Sequence, residues 1–248
     1  MSLVTVGVFF VASALRVIFG GIYEDAAARE EYAMLREEFP ILSSQSNVED
    51  EVLDVEEEST VTPEEPSEDD EFDLKNLSLD ELARINNDFI GWINIGNVID
   101  YPVVRGRDNE KYINTTFTGN HNSAGAIFMD YRQSKGFDER VSIIYGHYTR
   151  DGSMFSPLGS YLNPSYLRQN PIISITTRDG RMLTYRIFAA KLTDAWDPAY
   201  TISLSDGERA VEEFPDVPNN ARNFMLLSTC TRSNNQDERI LVFAATTN

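Results

Sequence analysis

Two apolar runs near the carboxyl terminus, Asn223-Phe-Met-Leu-Leu-Ser-Thr-Cys230 and Arg239-Ile-Leu-Val-Phe-Ala-Ala-Thr246, are separated by a short polar loop. Runs of this length, rich in apolar residues and bounded by polar turns, are typical of buried strands. The runs therefore predict two adjacent strands at Asn223–Thr229 and Ile240–Thr246. The loop between them can bring the Arg239 guanidinium beside the Cys230 sulfur.

Six further strand-like runs precede this pair. They are Gly91–Ile95, Val98–Val104, Ala126–Tyr131, Val141–Tyr145, Ile172–Thr177 and Leu183–Leu192. Asp179-Gly180 joins the last two and is a strong hairpin signal. Eight short strands with turn signals between them predict a mainly β domain, either a barrel or a sandwich. Helices are predicted at Ser78–Asn87, Met154–Gln169 and Ser205–Phe214; the first and third open with capping-box patterns.

The amino-terminal part divides into three segments by composition. Residues 3–23 carry one charge, Arg16, and as a helix would extend about 30 Å, the thickness of a bilayer core. Ala12-Ser13-Ala14 resembles a signal-peptide cleavage site, but no basic residues precede the apolar run, which favours a retained anchor at 1–23. Residues 24–42 predict a juxtamembrane helix that ends before Pro40. A globular domain is expected at 74–248.

An acidic segment between helix and domain accounts for most of the net charge of −19. Residues 43–73 contain 14 Asp and Glu and no Lys or Arg, which predicts an extended, solvated linker. With 40 acidic and 21 basic residues in the chain and no basic stripe, a nucleic-acid partner is not expected. The sequence also contains no glycine-rich phosphate loop.

Cysteine and histidine are scarce, with one Cys and two His in 248 residues. An intramolecular disulfide and a cysteine-rich zinc site are therefore excluded, and neither a metal nor a cofactor is expected. Cys230 and His147 each end an apolar run, and Arg239 begins one. A thiolate, a proton carrier and a fixed cation at three strand ends are the groups that an acyl-transfer site requires.

The same residues resemble the motifs of class B sortases. The region Tyr145-Gly-His147, Asp151-Gly-Ser-Met-Phe155 and Tyr161-Leu162 is similar to their catalytic-histidine region, and Leu227-Ser-Thr-Cys230 with Arg239 is similar to their cysteine and arginine motifs. The resemblance implies an eight-stranded sortase-type β-barrel. It also implies amino-terminal helices and a helix, here Ser205–Phe214, in the connection before the cysteine strand.

The resemblance implies a membrane-anchored cysteine transpeptidase of a Gram-positive cell, with a single span and an extracellular catalytic domain. Cys230 would be the nucleophile, His147 the acid and base, and Arg239 the oxyanion donor. The enzyme would cleave a sorting pentapeptide after Thr, near the carboxyl terminus of a secreted protein. It would then transfer that protein to an amine of peptidoglycan or lipid II.

Four further residues are candidate substrate contacts. Ser228 and Tyr145 lie two residues before Cys230 and His147, so the strand period of two predicts the same face for each pair. Asn114 and Tyr200 resemble substrate-contacting positions of the family. Arg232 is an alternative to Arg239 as the active-site cation. His121, in a polar loop, is assigned no role.

Other functions stay open at this point. A cysteine peptidase or an L,D-transpeptidase would use the same thiol and imidazole. A membrane-tethered binding module with a structural cysteine is also compatible with the sequence, because a lone cysteine is often just a small buried side chain.

Overall fold

Eight strands form the fold, with bounds close to the predicted runs. The computed structural model describes residues 25–40, 78–201, 217–218, 221–233 and 235–246. The strands are β1 Phe89–Ile95, β2 Ile99–Val104, β3 Ile127–Met129, β4 Val141–Tyr145, β5 Ile172–Thr177, β6 Met182–Asp194, β7 Phe224–Cys230 and β8 Glu238–Thr246. β4 and β5 have the predicted bounds, and the others differ by one or two residues at one or both ends.

The strands close into a barrel in the order β1-β2-β3-β4-β7-β8-β6-β5. Neighbours are antiparallel except for the parallel pairs β2–β3 and β4–β7. The predicted eight-stranded barrel is thus confirmed, and the sandwich alternative is wrong. The hairpin at Asp179-Gly180 is confirmed as well: Gly180 has a φ of 83°, in the left-handed region that a tight turn needs.

Strands β7 and β8 are buried on both faces, which explains why their apolar runs are nearly continuous. Met225 and Leu227 belong to the larger hydrophobic cluster, whereas Phe224 and Leu226 belong to a second cluster on the opposite face. A strand covered on both sides has no solvent-facing positions, so its sequence does not alternate.

Helix α1, which covers residues 25–38, packs on the barrel. Ala28, Tyr32, Leu35 and Phe39 recur at helical spacing and join the larger hydrophobic cluster of the barrel. Arg36 donates a hydrogen bond of 3.2 Å to the Asp100 carbonyl on β2. The predicted helix is therefore present, and its apolar face contacts the domain that follows it in the chain.

Helix α2 covers residues 78–85 and ends before the predicted boundary at Asn87. Its end is set by Asn86, whose side-chain amide donates to the Phe117 carbonyl at 2.7 Å while its oxygen accepts from the Asp88 N–H at 2.9 Å. An asparagine side chain that bonds neighbouring backbone groups competes with continuation of the helix.

The single helix predicted over Met154–Gln169 is wrong. A 3-10 helix, Ser156–Leu162, is followed by the short helix α3, Pro164–Gln169. Asn163 has extended backbone between them and caps α3 by accepting from the Ser165 N–H. Met154 has a φ of 53°, which no right-handed helix accommodates.

Three predicted segments lie outside the described residues: the anchor at 1–23, the linker at 43–73 and the helix at Ser205–Phe214. Within the described ranges, no helix combines the length and the apolar character that a membrane span requires.

Candidate active site

The sheet register brings three strand ends to one edge of the barrel. β4 and β7 are parallel, with Tyr145 opposite Ser228, and the Gly146 N–H extends the ladder by donating to the Ser228 carbonyl at 3.1 Å. β7 and β8 are antiparallel, with Cys230 opposite Arg239. His147, two residues after the end of β4, therefore lies close to Cys230, the last residue of β7, and to Arg239, the second residue of β8.

These ends surround a cavity of about 420 Å³. Its lining residues are Asn109, Ile113, Phe128, Tyr145, Gly146, His147, Ser228, Thr229, Cys230 and Arg239. Three larger clefts of about 510 to 560 Å³ are lined by other described residues, and none of these is Cys or His. The cavity at the strand ends thus combines a thiol with an imidazole and a guanidinium.

Cys230 is a free, partly buried thiol at the end of β7. The strand is covered on both faces up to Thr229, and the loop that follows is largely exposed. The thiol therefore lies where the buried strand meets solvent, within reach of a molecule that enters the cavity.

His147 is held by the backbone of a neighbouring loop. Its Nε2 lies 2.7 Å from the Ile113 carbonyl oxygen. Gly146, the preceding residue, lies against Ile127 and Phe155, whose atoms would be 2.5 to 2.7 Å from a Cβ at this position. Only glycine leaves room for this approach, so the packing restricts the backbone that carries His147.

Arg239 is fixed to its own loop. Its Nη1 donates to the carbonyls of Gln236 at 2.6 Å and Glu238 at 3.0 Å, which leaves further guanidinium N–H groups for a ligand. Arg232, the alternative cation, is exposed and donates to the Arg150 carbonyl at 3.2 Å, and it does not line the cavity.

Ser228 and Tyr200 form a pair beside the cysteine. Their hydroxyl oxygens are 2.6 Å apart, and the Tyr200 ring stacks on Tyr145 with centroids 6.2 Å apart. Burial raises the pKa of Tyr200 to about 12, so its hydroxyl stays protonated in the physiological range. Tyr200 ends the 3-10 turn Pro198–Tyr200, which Asp197 caps by accepting from the Ala199 N–H.

A charged network behind the cavity was not predicted from the sequence. The buried Asp130 carboxylate accepts from Tyr145 Oη at 3.0 Å, from Asn109 Nδ2 at 3.1 Å and from Arg132 at 2.8 and 2.9 Å. Burial opposes ionisation of Asp130, but these bonds outweigh it and hold its pKa below the ordinary value. The available signal was an acid followed closely by an arginine at a strand end, Asp130-Tyr131-Arg132.

Asn114, another predicted substrate contact, is exposed and does not line the cavity. Its carbonyl accepts from the Asn122 N–H at 3.0 Å. The preceding residue, Ile113, and Asn109 line the cavity instead. His121, assigned no role, is exposed in the same loop.

The chain is similar to known proteins in sequence. The Sortase domain model matches residues 93–247. Sortase B of Staphylococcus aureus is 30% identical over 179 residues, a match that covers 67% of this chain and 72% of that protein. Sortase B of Listeria monocytogenes is 39% identical over 97 residues; this match spans 39% of this chain and 39% of that relative, less than two thirds of its length.

The barrel is also similar to solved structures. The Staphylococcus aureus sortase B–substrate complex has a TM-score of 0.69 at 25% identity, covering 91% of this chain and 99% of that one. A family model that matches well over half of the chain, together with relatives and solved structures that are class B sortases, establishes the assignment. The chain belongs to the sortase family, and within it to the class B cysteine transpeptidases.

Proposed function

We propose that this sortase cleaves a carboxyl-terminal sorting pentapeptide after Thr and transfers the cleaved protein to an amine of peptidoglycan or lipid II. The observation that carries the proposal is the meeting of Cys230, His147 and Arg239 around one cavity. A thiol, an imidazole and a guanidinium in one cleft are suited to acyl transfer through a covalent intermediate.

In the first step, the Cys230 sulfur attacks the carbonyl carbon of the scissile peptide bond. A C–S bond forms and the C–N bond breaks, while His147 takes up the proton of the Cys230 thiol and donates it to the leaving amine. Arg239 donates hydrogen bonds to the carbonyl oxygen while negative charge develops on it. The product is a thioacyl-enzyme that carries the secreted protein.

In the second step, the incoming amine attacks the thioester carbonyl. A C–N bond forms, the C–S bond breaks, and His147 accepts the proton that the amine loses. Cys230 is regenerated, and the secreted protein is joined to the acceptor. Water in place of the amine would give hydrolysis, so the ratio of transfer to hydrolysis separates a transpeptidase from a peptidase.

The walls of the cavity support a peptide substrate. Ile113 and Phe128 supply apolar surface, whereas Ser228 supplies a hydroxyl near the thiol. An apolar cleft with a few polar groups is the usual form of a specific binding site. We assign Ser228 and Tyr145, which line the cavity, to the substrate wall. Tyr200 and Asn114 stay proposed substrate contacts outside that lining, and Tyr200 is joined to the wall by its 2.6 Å contact with Ser228.

The proposed location is the outer face of the cell membrane. Residues 1–23 would form the single span. Helix α1 begins at residue 25 and packs on the barrel, so the catalytic domain would lie close to the bilayer surface. Retention of the full chain in the membrane fraction after carbonate extraction is the expected result, and release into the soluble fraction would contradict the anchor.

A peptide-library assay tests the function. Peptides with a variable pentapeptide are incubated with the full chain, with and without a soluble amine acceptor, and the products are identified by mass spectrometry. We expect cleavage after Thr in a preferred pentapeptide, with amine transfer and with no turnover by Cys230→Ala. Near-normal cleavage by Cys230→Ala would falsify the mechanism, and hydrolysis that the amine never intercepts would indicate a peptidase.

A further inference from the structure

The hydrogen bond to Ile113 determines which nitrogen of His147 carries a proton. A backbone carbonyl oxygen can only accept, so Nε2 must be the donor across the 2.7 Å contact. In the neutral imidazole, the lone pair is then on Nδ1. The position of the Ile113 carbonyl therefore decides which ring nitrogen can take a proton from a reacting group.

Gly125 lies directly against that carbonyl. A Cβ on Gly125 would be 2.6 Å from the Ile113 oxygen and 2.4 Å from the Tyr112 oxygen, and the φ of Gly125 is +58°. The Ala126 N–H also donates to the Tyr112 carbonyl at 3.0 Å. The two ends of the loop over residues 113–125 are thus packed together, so a shift of Gly125 would displace the Ile113 carbonyl.

Helix α1 holds Gly125 in place through Tyr32. The Tyr32 hydroxyl donates to the Gly125 carbonyl at 2.7 Å and accepts from the Phe117 N–H at 3.2 Å, so it joins two points of the loop. Tyr32 is 2% exposed, and burial raises its pKa well above the ordinary value. The hydroxyl therefore keeps its proton and both hydrogen bonds at physiological pH.

Glu31, the neighbouring residue on α1, holds the outer part of the same loop. Its carboxylate accepts from Thr116 Oγ1 at 2.9 Å, from the Thr118 N–H at 3.1 Å and from Asn120 Nδ2 at 3.3 Å. Hydrogen bonds to a carboxylate are stronger than neutral ones. Two consecutive residues of α1 thus contact five positions of the loop, counting Phe117 and Gly125.

The helix also reaches the chain on the other side of His147. The Tyr32 ring packs edge-to-face on Tyr101, with centroids 5.1 Å apart. The Tyr101 hydroxyl accepts from the Met154 N–H at 3.1 Å, and the next residue, Phe155, donates its N–H to the His147 carbonyl at 3.0 Å. Two segments restrain His147: the 113–125 loop, which α1 contacts directly, and Met154-Phe155, which α1 reaches through Tyr101.

From these contacts we infer that helix α1 is a positioning element of the active site. Through Glu31 and Tyr32 it holds the 113–125 loop so that the Ile113 carbonyl keeps the His147 proton on Nε2. Nδ1 is then the nitrogen that exchanges protons with the substrate and acceptor amines. This role rests on the proposed function insofar as His147 is the acid and base; the tautomer itself does not.

The tautomer is measurable without turnover. The chain contains only two histidines, so the full chain labelled with 15N-histidine has two imidazoles, and His121→Gln assigns them. At alkaline pH, where imidazoles are neutral, we expect Nε2 of His147 to have the 15N chemical shift of a protonated ring nitrogen. Nδ1 should have the shift of a nitrogen that carries a lone pair. The reverse pattern, or equal populations of the two tautomers, would overturn the inference.

The role of α1 is tested with Tyr32→Phe, which removes only the hydroxyl. We expect a mixed tautomer signal for His147 and a fall in kcat of about tenfold with KM within about twofold. Glu31→Gln lies on the more exposed side of α1 and serves if Tyr32→Phe does not fold. It should also give a mixed tautomer signal for His147, with a fall in kcat of about threefold.

Tyr185→Phe is the matched control. Tyr185 is a fully buried tyrosine on β6, and its hydroxyl has no hydrogen-bond partner among the described residues. The variant also removes one buried hydroxyl, and it should keep kcat and the His147 signals. Wild-type kcat and signals in both Tyr32→Phe and Glu31→Gln overturn the role of α1. Normal cleavage by His147→Ala would instead reject the proposed function while leaving the tautomer result valid.

Discussion

Cys230 and Arg239 are directly opposed residues of the antiparallel pair β7–β8. Opposed residues on one face of such a pair have Cβ atoms about 4.5 to 5.5 Å apart, so a long side chain at one position reaches past the other. Arg239 is further restrained by its bonds to the Gln236 and Glu238 carbonyls. The cation is therefore set beside the thiol by sheet register, before any substrate binds.

Arg239→Lys is expected to lower kcat/KM for peptide cleavage by about a hundredfold, because a point charge lacks the planar, multi-donor geometry of guanidinium. Arg232→Ala is the control, since Arg232 is exposed and outside the cavity lining. Steady-state kinetics of the two variants decide between the cations. A greater loss in Arg232→Ala than in Arg239→Lys would assign the role to Arg232.

Tyr200→Phe and Ser228→Ala remove the two members of the 2.6 Å hydroxyl pair. If the pair contacts substrate, each variant should raise KM by about threefold to tenfold with a smaller change in kcat, since one neutral hydrogen bond contributes about 0.5 to 1.5 kcal/mol. The free-energy cost of the double variant, calculated from kcat/KM, should be smaller than the sum of the costs of the two single variants. A double-mutant cycle measures this difference. Full additivity would show that the two hydroxyls act separately.

Asp130→Asn should lower the free energy of unfolding by about 1 to 3 kcal/mol at pH 7, because Arg132 loses its ionised partner. The folded-state pKa of Asp130 is depressed, so its contribution is present above the ordinary Asp pKa of about 3.9 and is lost as pH falls through the folded value. The difference in the free energy of unfolding between wild type and variant should therefore become smaller below about pH 4. Urea unfolding at several pH values tests this, and a gap that widens on acidification would contradict it.

Gly146→Ala should be destabilising by about 1 to 3 kcal/mol, because the added methyl would overlap Ile127 and Phe155. It should also slow turnover, since the displaced residue directly precedes His147. Gly159→Ala is the matched control: the nearest atom to its Cβ would be 3.7 Å away, an ordinary contact. Thermal melts and kinetics of both variants give the comparison, and equal effects would mean that the packing at Gly146 is not special.

Much of the barrel could be predicted because its strands are short apolar runs between polar turns, as in Val141–Tyr145 and Ile172–Thr177. The helix predicted over Met154–Gln169 failed because apolar spacing there reflects packing of a 3-10 turn, and the positive φ of Met154 depends on contacts with distant residues. Local patterns do not contain such contacts.

Cys230 and His147 could be singled out because the chain has one Cys and two His, and these two residues end apolar runs, whereas Arg239 begins one. The residues that contact them in the folded protein could not be predicted from the sequence. Asp130 reaches Tyr145 across the β3–β4 pairing, and Ile113 reaches His147 from 34 positions away. Such residues come into contact only when the barrel closes.

The amino-acid sequence alone determined the strand content, the acidic segment and the small set of groups able to carry out acyl transfer, because these depend on composition and local periodicity. Only the tertiary structure decided that β4 and β7 are parallel neighbours, that Tyr32 of α1 is bonded to the loop beside His147, and that Nε2 of His147 faces the Ile113 carbonyl. These relationships arise from hydrogen bonds and packing between segments far apart in the chain, whose geometry is set when the barrel closes.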